Sequence, residues 1–419
     1  MKPAAILFLS CLFAAPLAAQ TAAKPELKYV VILSRHGVRA PSKTADDLRQ
    51  YSAQPWPKWS VAPELLTAHG AKQMALMGAF DRAYYSQAGL FAASGCADAA
   101  HVFVYADSNQ RTQVTAHNLA DGMFPGCNVE VHGKPLDKPD PLFHPTFTDV
   151  EKEQALAGVK LRIRQLTGGD SMEALTAKYK PQLQMLDLVL HGCAPGGGAL
   201  CPTEKHWIAQ PLLEVETKLK PNKDEKLLTF KGPVATASSL AEDLELEYVE
   251  GMPAVDVGWG NVNAANLPAL IQLHSAATGV EQRAIPVARA QAGALLAAIV
   301  ASLRQAVEGK PVAGAPGAPG DKLLVLTGHD TNITNIAGLL NLEWTQDGRR
   351  DDVPPGAALV FELWKNSAGY SVKTFYTAQS LEQIRMLAPL TLASPPARVE
   401  LHACGGAECS WEKFSDLAK

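Results

Sequence analysis

Lys28-Tyr-Val-Val-Ile-Leu-Ser34 runs without a break into Arg35-His-Gly-Val-Arg-Ala-Pro41. The first seven residues form an apolar run rich in β-branched side chains, which is typical of a strand buried on both faces of a parallel sheet. The next seven place two arginines and a histidine directly after that strand. The stretch therefore predicts a core strand that ends in a cationic loop.

Two further apolar runs end in the same way. His101-Val-Phe-Val-Tyr105 leads into Ala106-Asp-Ser-Asn-Gln-Arg-Thr112, and Lys322-Leu-Leu-Val-Leu326 leads into Thr327-Gly-His-Asp-Thr-Asn332. Ligands of open α/β sheets bind beyond the carboxyl ends of the strands, at a topological switch point. We therefore expect the polar residues at the three strand ends to converge: Arg35, His36, Arg39, Arg111, His329 and Asp330.

Helical patterns separate these strands, which predicts an α/β fold. The helical patterns lie at 62–92, from the polar residues after the second strand to about Met123, and at about 287–308. Residues 135–265 differ in composition, with helical segments rich in Leu, Lys and Glu. This change predicts an inserted helical domain. We expect a leader at 1–19, an α/β domain formed by 20–134 and 266–419, and the helical domain at 135–265.

The composition excludes several classes of protein. Of 419 residues, 47% are hydrophobic and 19% are charged, which is unlike a disordered chain or a fibrous rod. Lys and Arg number 38 against 42 Asp and Glu, a net charge of −4. Because readers of a nucleic-acid backbone need a basic excess, nucleic-acid binding is not expected. An anionic ligand must therefore be held by a local cluster of cations.

The N-terminus has the pattern of a secretory signal. Met1-Lys2 is followed by the apolar run Ala4–Leu17 and by Ala18-Ala19 before the polar Gln20-Thr21. The run is too short for a membrane span, and the residues before Cys11 do not resemble a lipoprotein signal. The prediction is cleavage near Ala19, a periplasmic or secreted protein, and no stable membrane anchor.

Cysteine usage agrees with export. Cys11 leaves with the signal, and an even number remains, which predicts disulfides in an oxidising compartment: Cys96, Cys127, Cys193, Cys201, Cys404 and Cys409. Spacing suggests that neighbours pair, although six cysteines permit many connectivities. A zinc site is the competing interpretation, but there is no CxxC pair and no histidine at ligand spacing.

The strand-end residues suit attack on a phosphate ester. Forked guanidinium donors match phosphate oxygens, so three arginines can hold a dianion without a metal. A neutral His36 is a competent nucleophile, and Asp330 can protonate the leaving oxygen. Gly37 is expected to let the backbone approach the bound group. The structural alternatives are that Asp330 caps the following helix and that Arg111 is a solvated charge.

With these motifs, the sequence resembles the histidine acid phosphatase family. The resemblance rests on Arg35-His-Gly-Val-Arg-Ala-Pro41 and Gly328-His-Asp-Thr-Asn332. It extends to the bacterial periplasmic phytase and glucose-1-phosphatase branch through Gly251-Met-Pro253, Gly258-Trp-Gly260 and Val353-Pro-Pro-Gly356. The family implies a phosphoglycerate-mutase-like sheet domain flanked by helices, with an inserted, mostly helical domain over the active site.

The resemblance also implies roles for individual residues. His36 would be the nucleophile and Asp330 the proton donor. The phosphate would be bound by Arg35, Arg39, Arg111 and His329. Further substrate contacts would come from Ser42, Lys43, Glu242 and Thr331, with Asp243 or Glu245 replacing Glu242 if the helix register differs. The implied disulfides are Cys96–Cys127, Cys193–Cys201 and Cys404–Cys409.

Together, these features predict a metal-independent acid phosphomonoesterase that needs no cofactor. It would hydrolyse phytate and other organic phosphate monoesters through a phosphohistidine intermediate. We expect its binding partners to be small-molecule phosphate esters and the protein to be a monomer. The alternatives are a sugar-phosphate phosphatase like glucose-1-phosphatase and, in a different class, a non-catalytic phosphate-ester binding protein. Binding alone requires neither His36 nor Asp330, which disfavours the last alternative.

Overall fold

The computed structural model describes residues 24–52, 54–136, 138–192, 210–393, 395–406 and 408–417. The leader predicted at 1–19 lies outside this part of the chain. The described strands are β1 (Glu26–Arg35), β2 (Val102–Ala106), β3 (Val131–Gly133), β4 (Lys218–Pro221), β5 (Leu228–Lys231), β6 (Leu323–Gly328), β7 (Thr345–Gln346), β8 (Arg349–Arg350), β9 (Ala358–Asn366), β10 (Gly369–Thr377), β11 (Ala397–Val399) and β12 (Cys409–Ser410). The described helices are α1 (Ala45–Leu48), α2 (Ala68–Gln87), α3 (Gln110–Met123), α4 (Asp149–Thr167), α5 (Met172–Lys178), α6 (Lys180–Leu190), α7 (Pro233–Val249), α8 (Leu267–Glu281), α9 (Ile285–Glu308), α10 (Asp330–Leu340), α11 (Leu381–Met386) and α12 (Trp411–Leu417).

A mixed sheet with the order β11-β10-β9-β1-β6-β2-β3 forms the centre of the fold, and β12 adds to β10. The neighbours β1, β6, β2 and β3 are parallel. Arg35 lies opposite Gly328, and Ala106 lies opposite Thr327. The three predicted strands are therefore adjacent, and their carboxyl ends are level, which confirms the α/β class.

The other half of the sheet is antiparallel. β9 pairs antiparallel with β1, and β10 pairs antiparallel with β9. Only two residues connect Asn366 to Gly369, and so short a connection can join antiparallel strands only. An apolar run reports burial and not strand direction, so the sequence pattern did not distinguish the two cases.

Helix α2 is shorter than the stretch predicted at 62–92. It begins at Ala68 because the Thr67 hydroxyl accepts the Gly70 N–H at 2.9 Å and caps it. Gly37 packs directly on this helix: a Cβ on Gly37 would lie 2.8 Å from both the Gly70 carbonyl oxygen and Met74 Cγ. The contact between loop and helix is thus enough to require a glycine here, and a close approach of the backbone to a bound group remains a prediction.

Helices cover both faces of the sheet. Helices α9 and α10 bury one face, and α2 and α3 bury the other. Helix α9 is the described helix that is long and apolar enough to cross a membrane, but half of its most apolar window is buried. Leu295, Ile299 and Leu303 belong to the core on the sheet, so the apolarity of α9 is that expected of a core helix.

A third core lies among α4, α5, α6, α7 and α8. The block predicted at 135–265 is indeed mostly helical, although it also contains the antiparallel hairpin β4–β5. Helix α8 starts after 265, yet its Leu270 and Leu273 are buried in the same core as Leu240 of α7. The predicted domain boundary at residue 265 is untested. Because α8 packs in the helical core, we propose a boundary near Ala284.

Two of the three expected disulfides lie in the described part of the chain. Cys96 is bonded to Cys127, and Cys404 is bonded to Cys409. Cys193 and Cys201 lie outside the described residues.

Candidate active site

The loops after β1, β2 and β6 remain hydrogen-bonded beyond the strand ends. The His36 N–H donates to the Gly328 carbonyl and the Asp107 N–H to the Thr327 carbonyl, each at 3.0 Å. A cavity of about 1050 Å³ opens at this edge of the sheet. Its lining includes six of the predicted residues: His36, Arg39, Arg111, His329, Asp330 and Thr331.

The hydrogen bonding of His36 defines its tautomer. Its Nδ1 lies 2.9 Å from the Gly37 carbonyl oxygen, which can only accept, so Nδ1 carries the proton. Nε2 then keeps its lone pair. Burial, followed by the nearby guanidinium groups of Arg35 and Arg39, holds the pKa of His36 well below its usual range. His36 is therefore a neutral imidazole whose Nε2 is available for nucleophilic attack.

Two arginines meet one carboxylate at the cavity. Arg35 is buried and donates through Nη2 to Glu242 Oε1, and Arg39 Nη2 donates to the same oxygen at 3.2 Å. Arg35 Nη2 also lies 4.0 Å from Asp330 Oδ2. Of the three acids considered on α7, it is thus Glu242, and not Asp243 or Glu245, that contacts the arginine cluster.

Asp107, to which the sequence analysis assigned no role, accepts three side-chain hydrogen bonds within the site. Its Oδ2 accepts from His329 Nε2 at 2.7 Å, from His144 Nε2 at 2.8 Å and from Asn109 Nδ2 at 2.7 Å. Burial opposes the charge, but the donors His144 and His329 keep the pKa of Asp107 far below its usual range. The carboxylate therefore fixes the ring of His329. Its position directly after β2 was the available signal.

Asp330 is the first residue of α10, and His329 occupies the N-cap position. Asp330 is therefore not the N-cap itself, and the side chain of this segment that caps the helix is Asn332, whose Oδ1 accepts the His329 N–H at 2.8 Å. The Asp330 Oδ2 lies 3.3 Å from His274 Nε2, and Ser238 Oγ lies 3.1 Å from His274 Nδ1. Sequence reasoning missed His274, because it lies on α8 in an apolar pattern without a motif.

The electrostatics of this pair are complementary. Burial opposes both charges. The pKa of Asp330 is nevertheless held well below its usual range by Arg35 and His274. The hydrogen bond to Asp330 and the charge of Glu242 raise the pKa of His274 to about 9. In the free protein, the pair is therefore a carboxylate beside an imidazolium.

Arg111 is the second residue of α3 and faces the same cavity. Its Nη1 lies 3.4 Å from Glu64 Oε2. The helix start thus delivers a guanidinium to the wall that carries His36 and His329, as predicted.

This arrangement agrees with the comparison to known proteins. Residues 26–166 and 201–377 match the histidine phosphatase superfamily (branch 2). The chain belongs to this superfamily. Phytase AppA of Escherichia coli (strain K12) is 35% identical to the chain over 428 aligned residues, which cover 100% of this chain and 96% of that protein. Membership makes the chain a phosphoric monoester hydrolase.

Two further relatives show the range of the similarity. Glucose-1-phosphatase of Salmonella typhimurium (strain LT2) is 30% identical, with 94% of this chain and 92% of that protein covered. The solved structure of Hafnia alvei phytase in complex with myo-inositol hexakis sulphate has a TM-score of 0.81 at 32% identity. That match covers 94% of this chain and 97% of the other.

Not every predicted contact lies at the cavity of this histidine phosphatase. Ser42 and Lys43 are exposed, and neither is among the residues that line the cavity. Lys43 Nζ lies instead 5.6 Å from the ring centroid of Tyr51. Their roles in substrate binding remain predictions. Thr331 does line the cavity, and its N–H donates to Asp330 Oδ1 at 2.8 Å.

Among the described residues of the phosphatase, two groups of side chains offer ligand atoms close enough for a metal ion. They are Asp107 with His144 and His329, and Glu242 with His274 and Asp330; within each group the ligand atoms lie within 4.8 Å of one another. Each carboxylate is already engaged by a histidine or an arginine within the site. Independence from metals remains a prediction, tested below.

Proposed function

We propose that this phosphatase hydrolyses phytate and other organic phosphate monoesters through a phosphohistidine on His36. The observation that carries the proposal is the neutral His36, whose proton is fixed on Nδ1, on a cavity wall shared with Arg39 and Arg111. Arg35, Arg39, Arg111 and His329 would hold the phosphate dianion. Charge-assisted bonds from forked guanidinium groups suit its oxygens.

The reaction proceeds in two balanced steps. In the first, His36 Nε2 attacks phosphorus, the phosphorus–oxygen ester bond breaks, and the departing alkoxide takes a proton from Asp330. In the second, water attacks phosphorus and gives a proton to the Asp330 carboxylate, the bond between nitrogen and phosphorus breaks, and phosphate leaves. His36 is regenerated.

Asp330 needs a proton before the first step, and its neighbour holds one. The His274 imidazolium lies against the Asp330 carboxylate at 3.3 Å. A substrate dianion bound nearby raises the pKa of Asp330 by repulsion between like charges. Transfer from His274 Nε2 to Asp330 Oδ2 would then supply the general acid, and the proton that Asp330 takes from water in the second step would return to His274.

The choice of phytate draws on the relatives. The chain is 35% identical to a phytase, and the similar Hafnia alvei phytase binds myo-inositol hexakis sulphate. A sugar-phosphate phosphatase is the second candidate. It is favoured by the cavity, where Asp224, Glu225 and Glu281 oppose a single lysine, Lys226, outside the phosphate clamp. Such a wall suits a substrate with one phosphate better than one with six.

We further propose that the protein is exported to the periplasm or secreted, as a monomer. The signal pattern of residues 1–19 supports export, and so do the disulfides Cys96–Cys127 and Cys404–Cys409. N-terminal sequencing of the protein from the periplasm, together with its mass in solution, tests both statements. An uncleaved Met1 or a stable dimer would contradict them.

The direct test is turnover and trapping. The purified protein should hydrolyse p-nitrophenyl phosphate, phytate and glucose 1-phosphate, and an acid quench during turnover should leave phosphate on His36. His36→Ala should lose nearly all activity. His117→Ala, at an exposed position on α3, is the matched control and should behave as wild type. Substantial turnover by His36→Ala would sink the nucleophile assignment.

Two further measurements test the substrate class and the independence from metals. Comparison of kcat/KM for phytate and glucose 1-phosphate decides between the two substrate classes. Activity should survive dialysis against EDTA, because the cations of the proposed clamp are side chains. Loss of activity in EDTA, with recovery on adding a divalent ion, would contradict the arginine-clamp mechanism.

A further inference from the structure

The cavity extends well beyond the phosphate clamp. One group of lining residues comes from the sheet edge and includes His36 and Arg111, whereas a second group comes from the helical side of the fold. We call this second group the helical wall: Asp224, Glu225, Lys226, Glu281 and Gln282. At about 1050 Å³, the space exceeds what a single phosphate fills. The helical wall is therefore one of the surfaces that the rest of a bound substrate can meet.

The loop that carries Lys226 is held in place from two sides. It connects β4 to β5, and Lys152 of α4 donates through Nζ to the Asp224 carbonyl at 2.9 Å. Within the loop, the Asp224 N–H donates to Asn222 Oδ1 at 2.7 Å. These bonds hold the backbone close to Lys226, whose exposed side chain lines the cavity.

Glu281 faces the same cavity from the last turn of α8. We propose that Glu281 and Lys226 form a charge filter, through which pH sets how strongly the site binds substrates that carry more than one phosphate. The inference rests on the proposed function, since it assumes that the clamp holds one phosphate ester. The proposed catalytic steps do not use either residue.

The filter works through the charge of one carboxyl group. Burial raises the pKa of Glu281 to about 7, and Lys226 acts in the opposite direction. Below that pH, Glu281 is neutral, so the wall carries one negative charge fewer and Lys226 can contact a second phosphate against weaker repulsion. Above it, Glu281 is an anion, and with the exposed Asp224 and Glu225 it makes the wall repel additional phosphates. A substrate with a single phosphate, held in the clamp, senses this change much less.

Other charged groups near Glu281 do not reproduce this behaviour. Arg162 of α4 reaches α8, where its Nε donates to the Gly279 carbonyl at 3.3 Å. His144 and Asp330 line the cavity from the loops on the sheet side. All of these groups are the same in wild type and in a Glu281 variant, so a comparison between the two proteins isolates the carboxyl group.

The test is calorimetric binding of myo-inositol hexakis sulphate between pH 5.5 and 8. The sulphate esters of this probe keep their charge over that range, and its binding does not depend on turnover. Wild type should bind about fivefold more weakly at pH 8 than Glu281→Gln does, with equal affinities at pH 5.5. Inorganic sulphate, a probe of the clamp alone, should give the same Kd for both proteins. Glu308→Gln, at the end of α9 and outside the cavity lining, is the control.

Lys226→Gln provides a second test, because a purely structural role of Lys226 would not change the pH dependence of binding. It should weaken binding of the hexakis sulphate at pH 5.5, and it should shift the midpoint of the pH dependence upward, because Lys226 no longer opposes protonation of Glu281. Parallel pH profiles for wild type and Glu281→Gln, or no binding of the probe at pH 5.5, would overturn the filter. Absence of phosphomonoester turnover would instead overturn the proposed function.

Discussion

The site contains two carboxylates, Asp107 and Asp330, whose different partners suit them to different roles. Asp107 accepts hydrogen bonds from His329, His144 and Asn109, and the first of these bonds fixes His329 in one tautomer. Asp330 instead faces His274 and the buried Arg35. The first carboxylate is fully occupied as an acceptor, whereas the second is paired with an imidazolium that can return a proton. This difference suits Asp107 to positioning and Asp330 to proton transfer.

Asp330→Asn should therefore harm some substrates far more than others. General-acid help is worth about 10²–10⁴-fold when the departing alkoxide is basic and much less when it is already stable. We expect kcat for phytate to fall by that range and kcat for p-nitrophenyl phosphate to fall much less. Asp121→Asn, at an exposed site on α3, is the matched control. Equal losses for both substrates would assign Asp330 some other role.

His274 should make stability depend on pH. Its pKa in the folded protein is raised to about 9, above the usual 6.5, by Asp330 and Glu242 against the effect of burial. Protonated His274 therefore stabilises the fold fully below pH 6.5, and this contribution of about 2–3 kcal/mol is lost as pH rises through about 9. Urea unfolding of wild type and His274→Asn should show a stability difference that shrinks between pH 6.5 and 9.5. A difference that stays constant over this range would contradict the assignment.

Among the helices, the crossing of α2 and α3 leaves no room for a side chain at its closest point. A Cβ added to Gly122 would lie 2.0 Å from the Ala75 carbonyl oxygen. The same helix pair supports the site, since α2 packs against Gly37 and α3 begins next to Arg111. The spacing between these two helices therefore affects both the stability of the protein and the position of Arg111.

Gly122→Ala should destabilise the protein by about 1–3 kcal/mol, because the helices must separate. Gly279→Ala on α8 is the matched control, since a Cβ there meets nothing within 4 Å. Ala favours a helix over Gly by about 1 kcal/mol, so the control should be neutral or stabilising. Denaturant unfolding measures both changes. A Gly122→Ala protein as stable as wild type would show that the crossing adapts without cost.

Over the whole molecule, the two described disulfides close loops of different length. Cys96 and Cys127 are 31 residues apart, whereas Cys404 and Cys409 are 5 apart. A crosslink stabilises more when it closes a longer loop of the unfolded chain. Replacing the first pair by alanines should cost about 4 kcal/mol and replacing the second about 2 kcal/mol. Unfolding of the two double variants under oxidising conditions checks the order, and a larger loss from the Cys404–Cys409 pair would contradict it.

The sequence alone was sufficient to predict the three parallel strands, the helices between them and the cluster at the strand ends. This information is local, because an apolar run and the polar residues that follow it are adjacent in the chain. His36, Arg39, Arg111, His329 and Asp330 were found in this way and face one cavity.

Only the tertiary structure decided which partners these residues have. Asp107 and His329 are 222 residues apart, and their contact depends on the pairing of β2 with β6. His274 lies in an apolar helical pattern, and α8 brings it to Asp330 only through the packing of the helical core. Lys43 shows the converse: it follows the cationic loop in sequence, but its side chain lies over Tyr51. Hydrogen bonds between distant segments leave no periodic signal in the sequence. These partners can therefore be identified only once the tertiary structure has brought the segments together.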